Sequence, residues 1–299
     1  MVEVWFFYII SAISIWGFNA IVDKIILTKY LNSFSYLITG IPAKLMLLVG
    51  ILIFAPMDYS SPAFYFAFAS GVLGVVGYYA YAFAMKREEA SRIAALTSLY
   101  PAFVAILAAI FLNEIFSIKS YAGIMLMIFG ATLISYKKGK FYKLVPLAVV
   151  IIAVVANIFW AIEQTASKIS LNSYGFWQFF AGYMMGTLFM TAPSLIIPHF
   201  RNNFVKELKK LKRNVVLLLI FSSAIWAIGI ILFFYSASLG PITLVSALSI
   251  IAPFAVLLYT IVVTKIWPKI LKEEIDRKTL ALKLFAIALI FLGTYLITV

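Results

Sequence analysis

The chain has 299 residues, of which 65% are hydrophobic and only 12% charged, with a mean hydropathy of +1.07. A soluble domain carries about 25% charged residues, so most of this surface is built for lipid rather than water. The absence of cysteine excludes disulfides and thiolate metal sites, and the net charge of +13 belongs with loops beside lipid-buried segments, not with a nucleic-acid partner.

The first apolar run has no basic region ahead of it, so no cleaved signal peptide is expected. A spanning helix needs about 20 mostly apolar residues. Ten segments qualify: 4–24, 34–54, 62–85, 91–112 and 119–135, then 145–166, 175–197, 214–238, 241–263 and 280–298. A barrel strand alternates polar and apolar residues. The run from Leu144 to Phe159 does not. The expected fold is therefore an all-α integral membrane protein with ten transmembrane helices, multi-pass in the cell membrane.

The segments divide five and five, with Lys137-Lys138-Gly139-Lys140 between them. The expected organisation is a first five-helix repeat at 1–136, a basic linker at 137–144 and a second five-helix repeat at 145–299. An odd number of spans per half turns the second copy upside down. This is the inverted-repeat plan of many secondary transporters, whose site lies near the midplane between the repeats.

Internal echoes support the duplication. Trp16-Gly-Phe-Asn19-Ala-Ile-Val-Asp-Lys24 returns as Trp160-Ala-Ile-Glu163-Gln-Thr-Ala-Ser-Lys168. Ala95-Leu-Thr97-Ser-Leu-Tyr100-Pro101 returns as Ala247-Leu-Ser249-Ile-Ile-Ala-Pro253. Two matches in the same order point to one repeated unit.

Nearly all of the 24 Lys and Arg fall in the loops after spans 1, 3, 5, 7 and 9. The positive-inside rule then makes those loops cytoplasmic and both termini external. The segment Arg201 to Arg213 reads as a short amphipathic helix, with Phe204, Leu208 and Leu211 on one face. Its expected partner is the anionic inner leaflet of the bilayer.

Polar residues inside the spans are the candidate site. Lys44 falls mid-span just after Pro42, where a charge costs at least about 2.5 kcal/mol. It is tolerable beside a wet cavity, where it would meet an anionic group of a substrate, or as a lysine that snorkels or pairs internally. Glu163 stands where the first copy has Asn19; it suits a proton or a cationic group, or else pairs with Lys168. Inversion would set Asn19 and Glu163 toward opposite ends of the pathway. Lys24, Lys168 and Glu114 read as markers of helix ends.

Pro101 and Pro253 lack N–H groups, which would free the carbonyls of Thr97 and Ser249 at mid-membrane. Such backbone is tolerated only against protein or water, so both prolines are candidate hinges, with Thr97, Tyr100 and Ser249 beside them. Trp16, Trp160, Tyr81, Tyr235 and Trp226 are candidate aromatic lining. Gly71, Gly74, Gly77 and the Gly182-Tyr183-Met184-Met185-Gly186 pattern read as close helix packing.

No enzyme constellation is present. One histidine, His199, and no cysteine make a zinc site unexpected. No phosphate loop, dinucleotide fingerprint or nucleophile elbow occurs. No catalytic residue, metal or cofactor is expected, and any driving energy would come from a gradient, with proton or ion coupling left open.

Taken together these residues resemble the drug/metabolite transporter superfamily, and within it the EamA-type ten-helix transporters. The likeness rests on Trp16-Gly17 and Trp160-Ala161, each followed by a lysine, and on Lys44 early in span 2. It also rests on Pro101 and Pro253 in the fourth helix of each half, on Glu114, and on Gly123, Gly130 and Gly293 in the fifth helices. The resemblance implies a central cavity lined by helices 1, 3, 4, 6, 8 and 9. It implies alternating access and export or exchange of small metabolites such as amino acids. Relatives also handle nucleotide sugars and sugar phosphates, and the aromatic lining leaves a lipid or lipid-linked carrier open. A receptor without flux is the remaining alternative. Family members usually keep their termini cytoplasmic, against the charge bias here, and Tyr183 stands roughly where a second Lys44 would.

Overall fold

The computed structural model describes residues 3–88, 90–134, 146–266 and 277–298. The basic linker at 137–144 and most of the basic stretch between the last two expected spans lie outside them. Every regular element among the described residues is helical. In the first half these are α1 (Val4–Lys29), α2 (Ser33–Thr39), α3 (Ile41–Phe54), α4 (Pro62–Arg87), α5 (Ala90–Leu96), α6 (Tyr100–Leu112) and α7 (Ile118–Ile134). In the second they are α8 (Leu147–Leu171), α9 (Phe176–Thr191), α10 (Pro193–Ile196), α11 (Pro198–Leu208), α12 (Arg213–Leu239), α13 (Ile242–Leu248), α14 (Ala252–Ile266) and α15 (Arg277–Thr298).

Local chemistry sets several of these bounds. The Asn32 side chain accepts from Ser35 N–H and so caps α2. Ser61 caps α4 in the same way, with Pro62 in the first turn where its missing N–H costs nothing. Asn113 ends α6 in the left-handed conformation (φ 55°) that asparagine tolerates better than most residues.

Seven helical stretches among the described residues are long and apolar enough to cross a membrane: Val4–Lys29, Ser33–Phe54, Pro62–Arg87, Leu147–Leu171, Phe176–Ile196, Arg213–Leu239 and Ile242–Thr264. The other three expected spans correspond to shorter apolar helices, at Tyr100–Leu112, Ile118–Gly130 and Leu284–Gly293. These helices are apolar all round, as lipid-facing ones must be. Met46, Ile53, Ile110, Phe111, Ile118 and Phe189 all point outward and exposed. In water such a surface would be untenable; in hydrocarbon it is the matching solvent.

Four of the expected spans are interrupted, the seventh at Ala192 between α9 and α10. The second breaks at Gly40, between α2 and α3. The fourth and ninth each pass through one 3₁₀ turn, Thr97–Leu99 and Ser249–Ile251. Pro101 and Pro253 fall in the second position of the helices that follow, α6 and α14. The expectation of a free carbonyl at the second of the proline breaks is corrected by the hydrogen bonding. The Ser249 carbonyl accepts from the Ala252 N–H, the tighter 3₁₀ bond. In the first half the Leu96 carbonyl accepts from Asn157 Nδ2 at 2.9 Å. The Thr97 hydroxyl donates back to the Ile93 carbonyl at 2.7 Å. At the second break 3₁₀ geometry takes up the carbonyl that proline releases; at the first, Asn157 and the Thr97 hydroxyl bond to neighbouring carbonyls.

The halves interlock through their glycines. α4 packs against α8 and α9, α1 against α12, and α7 against α15. A Cβ on Gly71 would lie 2.1 Å from the Tyr183 carbonyl oxygen, and one on Gly186 2.0 Å from that of Phe68. Only hydrogen fits at this α4–α9 crossing. Gly182 of α9 meets Ala67 of α4, and Gly293 sits against the Gly123 backbone.

The segment from Arg201 departs from its expected form. Its helix, α11, runs Pro198–Leu208, so Leu211 lies beyond it. Phe204 is half-buried against Ile38, Ile41 and Leu188, and Leu211 packs on the bundle. Glu207 accepts from both the backbone N–H and Nδ2 of Asn32, at 3.2 and 2.9 Å. The helix is therefore tied to the start of α2.

Candidate functional site

A cavity of about 250 Å³ opens between the two halves. Ten of the expected site residues line it: Trp16, Asn19, Lys44, Tyr81, Thr97, Tyr100, Trp160, Glu163, Trp226 and Ser249. Tyr235 does not. It is 37% exposed and packs edge-on against Tyr8 and Phe176. Its place in α12 turns it outward, which pairing of the repeats alone could not show. Pro101 is buried in α6 and is not part of the lining, and Pro253 takes the second position of α14.

The lining is wider than six helices. α2 and α3 contribute Tyr36, Leu37, Thr39, Ala43 and Lys44, and α9 contributes Tyr183 and Thr187. The break at Gly40 is responsible, because it turns the first turn of α3 toward the cavity. Lys44 sits in that turn, 6% exposed, with Nζ 5.4 Å from the centre of the Trp226 ring. Among the described residues its ammonium forms no ion pair or hydrogen bond. The aromatic face offers a cation–π contact but leaves the ammonium's donors for something else.

Two tryptophans frame the floor in the same manner. Trp160 lies against Gly77 of α4, and Trp16 against Gly229 of α12; a Cβ would come within 2.6 and 2.2 Å respectively. Tyr81 and Tyr100 pack on Trp160 at 5.7 and 6.2 Å between ring centres. Phe233 packs on Trp16 at 5.4 Å. The hydroxyls of Tyr100 and Ser249 pair directly, joining the two interrupted helices across the cavity.

Asn19 and Glu163 both line this cavity. Glu163 is 6% exposed and accepts from the Tyr183 hydroxyl at 2.8 Å; Gly74 leaves it room. It does not pair with Lys168. That lysine donates to the carbonyls of Ala237 and Gly240, at 2.8 and 2.9 Å, at the end of α12. Lys24 does the same at the end of α4, donating to the carbonyls of Met85 and Glu88. A cation at a helix C-terminus meets unpaired carbonyls and the negative end of the dipole. Glu114 is the converse. Its carboxylate accepts from the N–H groups of Ile242 and Thr243, the first turn of α13, at 3.0 and 2.9 Å.

The residue that the sequence did not single out is Asp23. It is 2% exposed, lines the cavity, and accepts from Tyr36 at 2.5 Å, Tyr78 at 2.7 Å and Asn19 Nδ2 at 3.2 Å. Ser222 of α12 reaches the same carboxylate at 3.5 Å and pairs with Tyr36 at 2.8 Å. Next to Lys24 in sequence, Asp23 looks like half of a helix-end pair. Its one available signal was its position, four residues after Asn19 on the same helix face.

The arrangement is a buried chamber with one cation, two carboxylates and an aromatic wall, reached by residues of both halves. Among the described residues no group of three His, Cys, Asp or Glu could hold a metal. No curated protein matches the sequence. A solved crystal structure of a protein is similar in fold, with TM-score 0.71 at 15% identity, covering 99% of this chain and 96% of its own. The profile of the EamA-like transporter family matches residues 3–136. Residues 3–136, within a multi-pass helical bundle, thus carry the likeness to the EamA-like transporter family, part of the drug/metabolite transporter superfamily.

Proposed function

We propose that this membrane transporter moves small polar organic solutes, amino acids or related metabolites, through the cavity between its halves by gradient-driven alternating access. The observation that carries the reading is Lys44. A buried ammonium at membrane depth is costly, and this one faces the chamber with only an aromatic ring beside it. It lies in the first turn of α3, where the helix dipole also favours an anion. A carboxylate or phosphate group of the solute completes it. Glu163, with a single hydroxyl donor among the described residues, is the group suited to exchange a proton during the cycle.

The ten-span, inverted-repeat reading is supported by matched contacts. Lys24 and Lys168 stand at equal places in the first helix of each half. The carbonyls they clasp, Met85 and Glu88 against Ala237 and Gly240, are offset by the same separation as Pro101 and Pro253. Trp16 on Gly229 and Trp160 on Gly77 swap partners between the halves in the same way. On this plan the basic odd loops face the cytoplasm and its anionic leaflet.

Counterflow in proteoliposomes tests the function. Vesicles are preloaded in turn with pooled amino acids, sugar phosphates or nucleotide sugars, and entry of tracer is followed. Entry with one pool, lost in Lys44→Ala, is expected. Inserted protein that catalyses no entry with any pool, or entry that Lys44→Ala leaves unchanged for every solute, would refute the reading. A second reading, transport of a lipid-linked carrier, is favoured by the apolar wall of Trp16, Trp160, Trp226, Phe233 and Phe234. It predicts movement of a fluorescent lipid between leaflets instead.

A further inference from the structure

The Asp23 cluster does something that an anion site and a proton carrier leave unexplained. It holds one formal negative charge in the wall of the cavity, 2% exposed, and among the described residues no cationic side chain forms an ion pair with it. Every contact it makes is with a neutral donor. Tyr36, Tyr78 and Asn19 direct hydrogens at its two oxygens, and Ser222 sends its own to Tyr36 or to Asp23.

A second observation stands beside this. Asn19 is 3% exposed, and its Oδ1 is buried without any hydrogen-bond partner. Its Nδ2 is already committed to Asp23, so the amide is oriented and the carbonyl oxygen is left as a fixed, vacant acceptor. A buried acceptor without a partner calls for an explanation, and a bound group is one of the few available.

We propose that Asp23 and Asn19 form a subsite for a monovalent cation, either an alkali metal ion or the primary ammonium group of the carried solute. The reading rests on the cavity being the solute site. The oxygens of Asp23, Asn19, Tyr36, Tyr78 and Ser222 all belong to residues that line that cavity. They are hard oxygen donors with a single charge among them, which matches one unit of positive charge. A divalent ion would draw on several carboxylates or on waters. A proton on Asp23 fits the cluster poorly. It would add another hydrogen to a shell already made of donors and would leave the Asn19 oxygen as vacant as before. The subsite also joins the halves, because Ser222 comes from α12 while the rest come from α1, α2 and α4. Filling it would draw α12 toward α1 on the side where Tyr36 and Ser222 meet.

The test is ligand-linked stability of the purified full chain, which needs no transport. Thermal unfolding is followed at constant ionic strength in choline chloride, with sodium, potassium or ethylammonium chloride replacing choline in turn. A binder of the native state raises the midpoint with the logarithm of its concentration, by about 4 °C at roughly ten times its dissociation constant. We expect that rise with sodium or potassium if the site serves ion coupling, and with ethylammonium if it takes the solute's amine. Asp23→Asn abolishes the response, Asn19→Leu raises about tenfold the concentration at which it begins, and Tyr235→Phe, outside the cavity, leaves it intact. A wild-type midpoint that none of the three cations moves relative to choline overturns the proposal. So does a response that survives in both Asp23→Asn and Asn19→Leu. Counterflow that proceeds while the midpoint stays flat would retire the subsite and leave the transporter reading standing. A cation response without counterflow would do the reverse.

Discussion

The first helix of each half presents its cavity face with the same frame and different chemistry. α1 carries Trp16, Asn19, Asp23 and Lys24; α8 carries Trp160, Glu163, Ser167 and Lys168 at the matching places. The outer members, tryptophan and lysine, do equal work in both. Each tryptophan fills the space over a glycine of the other half, and each lysine closes the end of a helix in its own half. Between them the polar pair is written in opposite order. The first half has a neutral amide and then a carboxylate one turn on. The second has a carboxylate and then a hydroxyl, which only bonds back to the Glu163 carbonyl at 2.8 Å. The difference teaches that the residues holding the scaffold repeat, while the polar pair between them does not. Lys44 extends the contrast, since the second half offers Tyr183 near the chamber instead, and that hydroxyl serves Glu163.

The comparison can be broken or sharpened by substitution. The largest expected effect falls on the unrepeated side. Lys44→Ala lowers counterflow of an anionic solute about 100-fold, or roughly 2.7 kcal/mol, with folding measured in parallel; an effect on stability alone would remove Lys44 from the solute site. Next come the glycines that receive the tryptophans. Gly77→Ala and Gly229→Ala each force an indole aside, and each should cost about 1–3 kcal/mol by overpacking. Their thermal midpoints should fall by similar amounts, and a loss confined to one would end the equivalence of the frame. Lys24→Met and Lys168→Met are smaller, at about 1 kcal/mol each, and again should match in a denaturation series. Smallest is Tyr235→Phe, expected within about 0.5 kcal/mol of wild type and without effect on flux.

What the sequence disclosed follows the same division. The lipid-facing character and the two echoes were legible because they depend on composition and on spacing along one helix. The tryptophans, Lys44, Glu163 and the prolines could be picked out because a large or charged residue in an apolar run is conspicuous. Tyr235 was misplaced for that same reason. An aromatic in a span is equally at home facing lipid, and only the rotation of α12 decides. Asp23 was passed over because an Asp-Lys pair at a helix end reads as solvated, whereas α1 continues to Lys29 and keeps Asp23 inside the bundle. Its partners Tyr36, Tyr78 and Ser222 come from three other helices, and no local pattern brings them together. The break at Gly40 and the docking of Phe204 on the bundle are likewise tertiary facts. The 3₁₀ turns before Pro101 and Pro253 were anticipated as kinks, but not the way the Ser249 carbonyl is satisfied.

The most direct test of the central claim, that the chamber between the halves is the transport site, uses the absence of cysteine from the chain. Ser223 lines the cavity, and Ser223→Cys introduces a single small thiol there. Vesicles bearing this variant are exposed to a membrane-impermeant maleimide from one face and then, in a separate sample, from the other. The account predicts labelling from both faces, slowed in each case by the solute that supports counterflow. Labelling from one face only, at a rate the solute does not change, would contradict it.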